Sequence, residues 1–390
     1  MTNPFVHLAL GAAVATAAPN GLLPPGLYAD RAGDHVYVGV ENEQPDRTNQ
    51  YYDPSNQHEG DVSDAGRYRL IQAIGEEKRV LQTPHGALGV SLYYAASGAR
   101  PTIVLVHGND PETRDMGFII PYFVLNGVNV LSFDQRGTGQ SAGDWLANGP
   151  SERARDVVAI YDAFADDSHV DATKIGVYAF SNGGWTAPVV TLQRHFAFMI
   201  LHSGPTQTIR DNVDYEVMQE LHRHGFGSHA VGAALGVWHA IEDALIGRGS
   251  WTSARGAYDD AKKQSWFANS LLPEFIKSVP PSPPAAAALK ELLVFDPAAA
   301  LDRLKTPTLA LYGRLDRNVD AVGAASELAA YAKRSGLRDL TIVTYPNAGH
   351  QLIVSKSGYN GDPTPPARFV RGYPRIMIDW LRHRAMVAAP

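Results

Sequence analysis

Ser181 stands where a strand-like run, Gly176-Val177-Tyr178-Ala179-Phe180, meets Asn182-Gly183-Gly184-Trp185 and the start of a helical pattern. An apolar run, a small-x-Ser-x-small turn and a helix are what hold a serine hydroxyl exposed at the carboxyl edge of a sheet. Ala179 and Gly183 suit such a turn, because it brings neighbouring backbone too close for larger side chains. A serine hydroxyl is a poor nucleophile until a base takes its proton, and the base needs a third group to fix its tautomer. Later strand-like runs supply both. Leu309–Tyr312 leads into Gly313-Arg314-Leu315-Asp316, and Ile342–Tyr345 leads into Pro346-Asn347-Ala348-Gly349-His350. Alone, Asp316 reads as a turn carboxylate and His350 as an exposed loop histidine. Together with Ser181, in this order and at strand ends, they read as nucleophile, orienting acid and general base. Asp320 is the alternative acid if that loop runs longer.

Acyl transfer also needs donors aimed at the developing oxyanion. The backbone N–H of Asn182 is one candidate. The other is that of Asn109, in the His107-Gly108-Asn109-Asp110 run after Ile103–Val106. The next strand ends in Asp134-Gln135-Arg136-Gly137-Thr138-Gly139-Gln140-Ser141, which lacks both the G-x-G-x-x-G spacing and a P-loop lysine. Asp134 and Arg136 are therefore expected to form a local salt-bridged turn at the site floor. His222, His224 and His229 lie on a polar helix and the turn after it, so a solvated face is expected rather than a metal site. No metal or cofactor is called for. His202 follows a strand and either meets substrate or packs behind the site; Trp238, Trp251, Trp266 and Phe267 are expected mainly in the cap's core, with one or two of them, as candidates Trp238, Trp266 and Phe267, lining the substrate pocket. Asp211, Asp214 and Glu216 open a helix, where acids complement the dipole; pointing inward, they would hold a substrate ammonium.

The elements that must position these groups alternate. Val90–Tyr94, Ile103–Val106, Val128–Phe133, Ile175–Phe180, Phe198–Leu201, Leu309–Tyr312 and Ile342–Tyr345 are short apolar runs, several of them continuous, as strands buried on both faces should be. Amphipathic stretches such as Glu152–Ala165 separate them, which predicts an α/β fold with a mostly parallel central sheet flanked by helices. Between Gly204 and Phe295 the strand rhythm stops. Helical patterns cover Asp211–His224, His229–Gly247, Ser253–Asn269 and Ala285–Leu293, and a helix over Asp296–Lys305 returns the chain to the core. A helical insertion of this kind most naturally forms a cap over the strand ends. The expected organisation is a β-rich extension over 1–80, core over 81–204, cap over 205–295 and core over 296–390.

The 390 residues carry a net charge of -6, so no basic face invites nucleic acid, and the absence of cysteine excludes disulfides and thiolate chemistry. Leu8–Ala18 is apolar, with Ala15-Thr16-Ala17 like a signal-peptidase site. No Lys or Arg precedes it, and it is too short to span a bilayer. A cytoplasmic protein without a membrane partner is expected, with export as the alternative; oligomeric state stays open, a homodimer included.

His107-Gly108, Asp134-x-Arg136-Gly137-x-Gly139-x-Ser141, Ala179-x-Ser181-x-Gly183, Gly313-x-x-Asp316-x-x-Val319 and Gly349-His350 together resemble the α/β-hydrolase superfamily. The likeness runs from about Leu81 to the carboxyl terminus apart from the insertion. It is similar within that superfamily to bacterial dipeptidyl-aminopeptidase and acylaminoacyl-peptidase-like hydrolases, which implies a serine hydrolase with a cap. Residues 1–80 resemble no propeller domain of the larger peptidases. The expected activity is cleavage of a small-molecule carboxylic ester through an acyl-enzyme on Ser181. The alternatives are an aminopeptidase, acyl-peptidase or amidase using the same residues, and a non-catalytic binding protein. A dehalogenase would need an aspartate at position 181.

Overall fold

A computed structural model describes residues 22–43, 46–145, 147–359 and 367–388. The signal-like stretch Leu8–Ala18 lies outside them. The amino-terminal part forms a five-stranded antiparallel sheet of β1 (Gly26–Ala29), β2 (His35–Glu43), β3 (Asp46–Asp53), β4 (His58–Asp61) and β5 (Arg69–Ala73), in the order β4-β3-β2-β1-β5. Tyr28, Val36 and Val38 form its own small core.

The main sheet has eight strands: β6 (Gly75–Thr83), β7 (Gly86–Tyr94), β8 (Arg100–Val106), β9 (Asn129–Phe133), β10 (Val170–Phe180), β11 (Phe198–His202), β12 (Thr308–Gly313) and β13 (Leu340–Tyr345). Their order is β13-β12-β11-β10-β8-β9-β7-β6, with β7 antiparallel to both of its neighbours, β6 and β9, and every other pairing parallel. Every residue of β9 and β11 is buried, which is why those runs lack polar alternation. Because β6 already pairs with β7, the change from one sheet to the other falls at Ile74, ahead of residue 80.

Helices cover both faces: α1 (Ile119–Leu125), α2 (Pro150–Phe164) and α3 (Gly183–Gln193) in the first half of the core. The insertion holds α4 (Ile209–Arg223), α5 (Ser228–Leu245), α6 (Trp251–Ala261), α7 (Leu272–Phe275) and α8 (Pro283–Val294), and α9 (Ala298–Leu301), α10 (Ala321–Ser335) and α11 (Arg375–His383) complete the core. The helix expected over 253–269 is shorter, because α6 stops before the polar Lys262-Lys263-Gln264-Ser265 run. That expected over 296–305 shrinks to α9, between Pro297 and the Thr306-Pro307 approach to β12.

The insertion packs around its own core of Val217, Leu221, Ile241, Tyr258, Trp238 and Trp266 among others, apart from the sheet's cores. It leaves the sheet through Gly204, just after β11. There the backbones of Gly184 and Gly204 touch: a β-carbon on Gly184 would lie 2.5 Å from the Gly204 Cα.

Candidate active site

β10 delivers Ser181 in a left-handed conformation, φ 51, which strains a residue with a β-carbon by about 1–3 kcal/mol. Sheet and helix hold it there. The Ser181 N–H donates to the His202 carbonyl at 2.9 Å, and the Ser181 carbonyl accepts from the Gly184 N–H at 2.8 Å. A β-carbon on Gly183 would stand 2.9 Å from the carbonyl oxygens of Val106 and His107, so only glycine lets α3 start this close to β8. Ala179 is fully buried under the turn.

His350 and Asp316 converge on this hydroxyl. His350 Nε2 lies 2.9 Å from Ser181 Oγ, and Nδ1 lies 2.8 Å from Asp316 Oδ2. The Asp316 Oδ1 atom accepts from the N–H groups of Asn318 and Val319 at 2.8 and 2.9 Å. One carboxylate oxygen is thus fixed by its own turn and the other is left for the imidazole. Burial opposes charging His350, but the Asp316 carboxylate, with Glu216 and Asp110 further off, outweighs it and raises the imidazole above its ordinary value. Such an arrangement can take the hydroxyl proton and hold it as an imidazolium. Asp320 instead caps α10, accepting from the Gly323 N–H at 3.0 Å.

Asn182 precedes the first turn of α3, where backbone N–H groups have no intrahelical partner. The Asn109 loop lies alongside: a β-carbon on Gly108 would be 3.4 Å from the Ser181 Cβ. His107 anchors this loop, with Nε2 2.8 Å from the Phe133 carbonyl and Nδ1 3.0 Å from Glu112.

Asp134 and Arg136 do not pair with each other. Asp134 is held by the Arg114 guanidinium and by the N–H groups of Arg114 and Gln140, whereas Arg136 pairs with Asp156 on α2 and donates to the carbonyls of His85, Gly86 and Ala87. Burial raises the Asp134 carboxyl, but these partners together bring it below the ordinary carboxylate value. Two side chains of one turn thus each find a partner on a different element, Asp134 on the loop before α1 and Arg136 on α2.

His202, expected to meet substrate, is buried behind the elbow. Its Nδ1 lies 2.7 Å from the Tyr178 hydroxyl, and the Phe180 ring packs against both His202 and His350. Burial pushes its pKa down to about 3, so the ring stays neutral. Trp238, Trp266 and Phe267 pack in the cap's own core, the Trp238 indole donating to the Ser270 carbonyl at 3.0 Å. A separate helical unit needs its large apolar side chains for packing before it can lend any to a pocket.

The acids at the start of α4 divide. Asp211 accepts from the Thr208 hydroxyl, and Asp214 lies 2.8 Å from His239. Both line a cleft of about 270 Å³ at the base of the cap, beside Gln207, Tyr215 and Asp320. Glu216 faces inward. It accepts one hydrogen bond, from Asn212 Nδ2 at 3.0 Å, and burial pushes its pKa up to about 7, against the pull of His350. No motif or spacing marks Tyr215, whose hydroxyl donates to the Asp316 carbonyl at 2.7 Å, or Ser203, whose hydroxyl donates to the His350 carbonyl at 2.7 Å. One group of three possible metal ligands, Glu77, Asp167 and His169, is found among the described residues; the Arg79 guanidinium sits on both of its carboxylates.

An eight-stranded, mostly parallel sheet of this order, flanked by helices and carrying a serine on the turn between β10 and α3, defines an α/β-hydrolase of the serine hydrolase class. Residues 97–356 match the model of the serine aminopeptidase S33 family, and the chain belongs to that family. No curated protein matches the chain. Similar solved structures include an acylaminoacyl peptidase of Pyrococcus horikoshii, with 13% identity over 93% of this chain and 50% of that one at a TM-score of 0.51. A puromycin-hydrolysing peptidase of Mycobacterium tuberculosis is 16% identical over 81% of this chain and 42% of that one, TM-score 0.48. An esterase of Pyrococcus furiosus is 17% identical over 80% of this chain and 91% of that one, TM-score 0.46. The chain spans half or less of the length of the two peptidases.

Proposed function

We propose that this serine hydrolase cleaves a carboxylic ester of a small molecule through an acyl-enzyme on Ser181. The observation that carries the reading is the continuous hydrogen-bonded line from Ser181 Oγ through His350 to Asp316. In this reading Ser181 attacks the carbonyl carbon while His350 Nε2 takes its proton. The N–H groups of Asn109 and Asn182 bind the oxyanion, and His350 returns the proton to the leaving alkoxide. Water, deprotonated by the same imidazole, then releases the acid and restores Ser181. The test is hydrolysis of a short-chain aryl ester with labelling by a fluorophosphonate. Ser181→Ala should lose both, and a variant that still turns over at the wild-type rate overturns the assignment. Failure of the wild type to label would favour a binding protein on the same fold.

One observation favours an amide-cleaving variant, an aminopeptidase or acyl-peptidase. Glu216 is a half-buried carboxylate with a single amide donor, close enough to His350 for the two to interact electrostatically. A partly desolvated acid of this kind gains from a cation, and a substrate ammonium supplies one. Aminoacyl arylamides should then be cleaved, and E216Q should lose that activity while keeping aryl-ester turnover. Absence of arylamide cleavage by the wild type removes this variant.

A further inference from the structure

Arg153 sits in the first turn of α2, buried, with no carboxylate close enough to form an ion pair among the described residues. Its Nη1 donates to the Gly108 carbonyl at 2.7 Å and its Nε to the Asn148 carbonyl at 3.1 Å. Burial pulls its pKa down to about 10, with the charges of Glu112 and Asp156 acting in the other direction from further away. Such a guanidinium still carries its charge at neutral pH, so a full positive charge rests on a neutral peptide oxygen. A buried charge spent on backbone is costly unless that backbone has to be held.

The peptide it holds is the one between Gly108 and Asn109. That peptide is trans and planar, so its carbonyl and its N–H point in opposite directions. Fixing the Gly108 oxygen on the α2 side therefore turns the Asn109 N–H the other way. On the same stretch of chain, Gly108 stands against the Ser181 and Phe180 side chains. A cation on the carbonyl also polarises the peptide, and hydrogen bonds in a chain strengthen one another. We infer that Arg153 is a positioning residue for the oxyanion site: through the Gly108 carbonyl it aims and strengthens the Asn109 N–H as donor to the tetrahedral intermediate. Glu112, through His107 on the preceding residue, braces the other side of the loop.

This inference rests on the acyl-enzyme reading, so the wild type is first labelled with a fluorophosphonate. Absence of a Ser181 adduct sinks that reading, and only a labelled enzyme tests Arg153. R153M and R153K are compared with wild type for aryl-ester kcat and KM, and for affinity toward a trifluoromethyl ketone, whose hemiketal places an oxyanion on Ser181. Losing a whole oxyanion donor costs about 100- to 1,000-fold in kcat, so misaiming one should cost roughly 10- to 100-fold, with KM within about twofold. R153K, which keeps the charge but not the planar fork, should fall between. Ketone affinity should drop in step with kcat/KM. A folded R153M with wild-type kcat overturns the inference, as does a kcat loss that leaves ketone affinity unchanged. If near-ultraviolet circular dichroism shows R153M unfolded, R153K is judged by the same two criteria.

Discussion

Ser181 and Ser203 adopt the same left-handed backbone, φ 51 and 52, one residue beyond the ends of the neighbouring parallel strands β10 and β11. The first presents its hydroxyl to the His350 ring and the second to the His350 carbonyl. The imidazole is thus held from its reactive end and from its own backbone, both anchors springing from adjacent strands. Ser203→Ala should lower aryl-ester kcat about 10-fold with little change in KM, since a displaced base harms the reaction more than binding. The lost buried hydrogen bond should lower stability by about 1–2 kcal/mol. Steady-state kinetics beside urea unfolding separates the two effects, and an unchanged kcat rejects the anchoring role.

In the proposed mechanism His350 must be neutral to accept a proton, and Asp316, with Glu216 and Asp110 beyond it, raises its pKa against burial. Activity should therefore fall as pH drops, with an acid limb in kcat/KM above the ordinary histidine value of 6.5. Asp316→Asn removes the largest raising influence. The limb should move to lower pH while kcat falls by about four orders of magnitude, because the imidazolium loses its partner and the tautomer its anchor. A limb that stays in place in this variant would show that another group sets it.

Glu216 gives a stability effect of definite sign. Its folded pKa of about 7 lies above the ordinary carboxyl value of 4.5, so the folded state prefers the protonated form. The stability this contributes is fully present below about pH 4.5 and is lost as pH rises through about 7. Glutamine mimics the protonated acid at every pH. E216Q should match wild type in Tm at pH 4 and exceed it at pH 8, and equal Tm values at pH 8 would mean that the carboxylate is not penalised.

Arg114 and Asp134 form a buried pair whose partners come from separate loops. Arg114→Met leaves Asp134 charged, enclosed and supported only by backbone N–H groups. Breaking one side of such a pair costs about 3–5 kcal/mol. Urea denaturation should show a loss in that range, and a loss below 1 kcal/mol would indicate that the remaining donors suffice.

What the chain discloses before folding is what depends on neighbours in sequence. Ser181, Asp316 and His350 were legible because each closes a strand-like run, and strand ends on one edge of a parallel sheet must meet. The interior strands were legible as continuous apolar runs. Arg153 was not, since α2 carries several charges and only the approach of the Gly108 loop selects one of them. Arg114 escaped for the same reason: it meets Asp134 across 20 residues of chain. The inward turn of Glu216, against the outward cleft of Asp211 and Asp214, depends on how α4 rotates when the cap docks. Trp238 and Trp266 pack in the insertion's own core, and aromatic composition alone cannot tell such packing from a pocket wall.

The touching backbones of Gly184 and Gly204 fix where the cap departs. Whatever helices follow, they leave from a point pressed against α3, the helix that Ser181 leads into. A foreign insertion spliced in after Gly204 would therefore start from the same place relative to Ser181, but unless it kept the start of α4 it would also take the Tyr215 hydroxyl from the Asp316 carbonyl and the Glu216 carboxylate from the neighbourhood of His350. For anyone building chimeras on this scaffold, the seam and the start of α4 are the parts to keep, and the helices beyond are the exchangeable cassette.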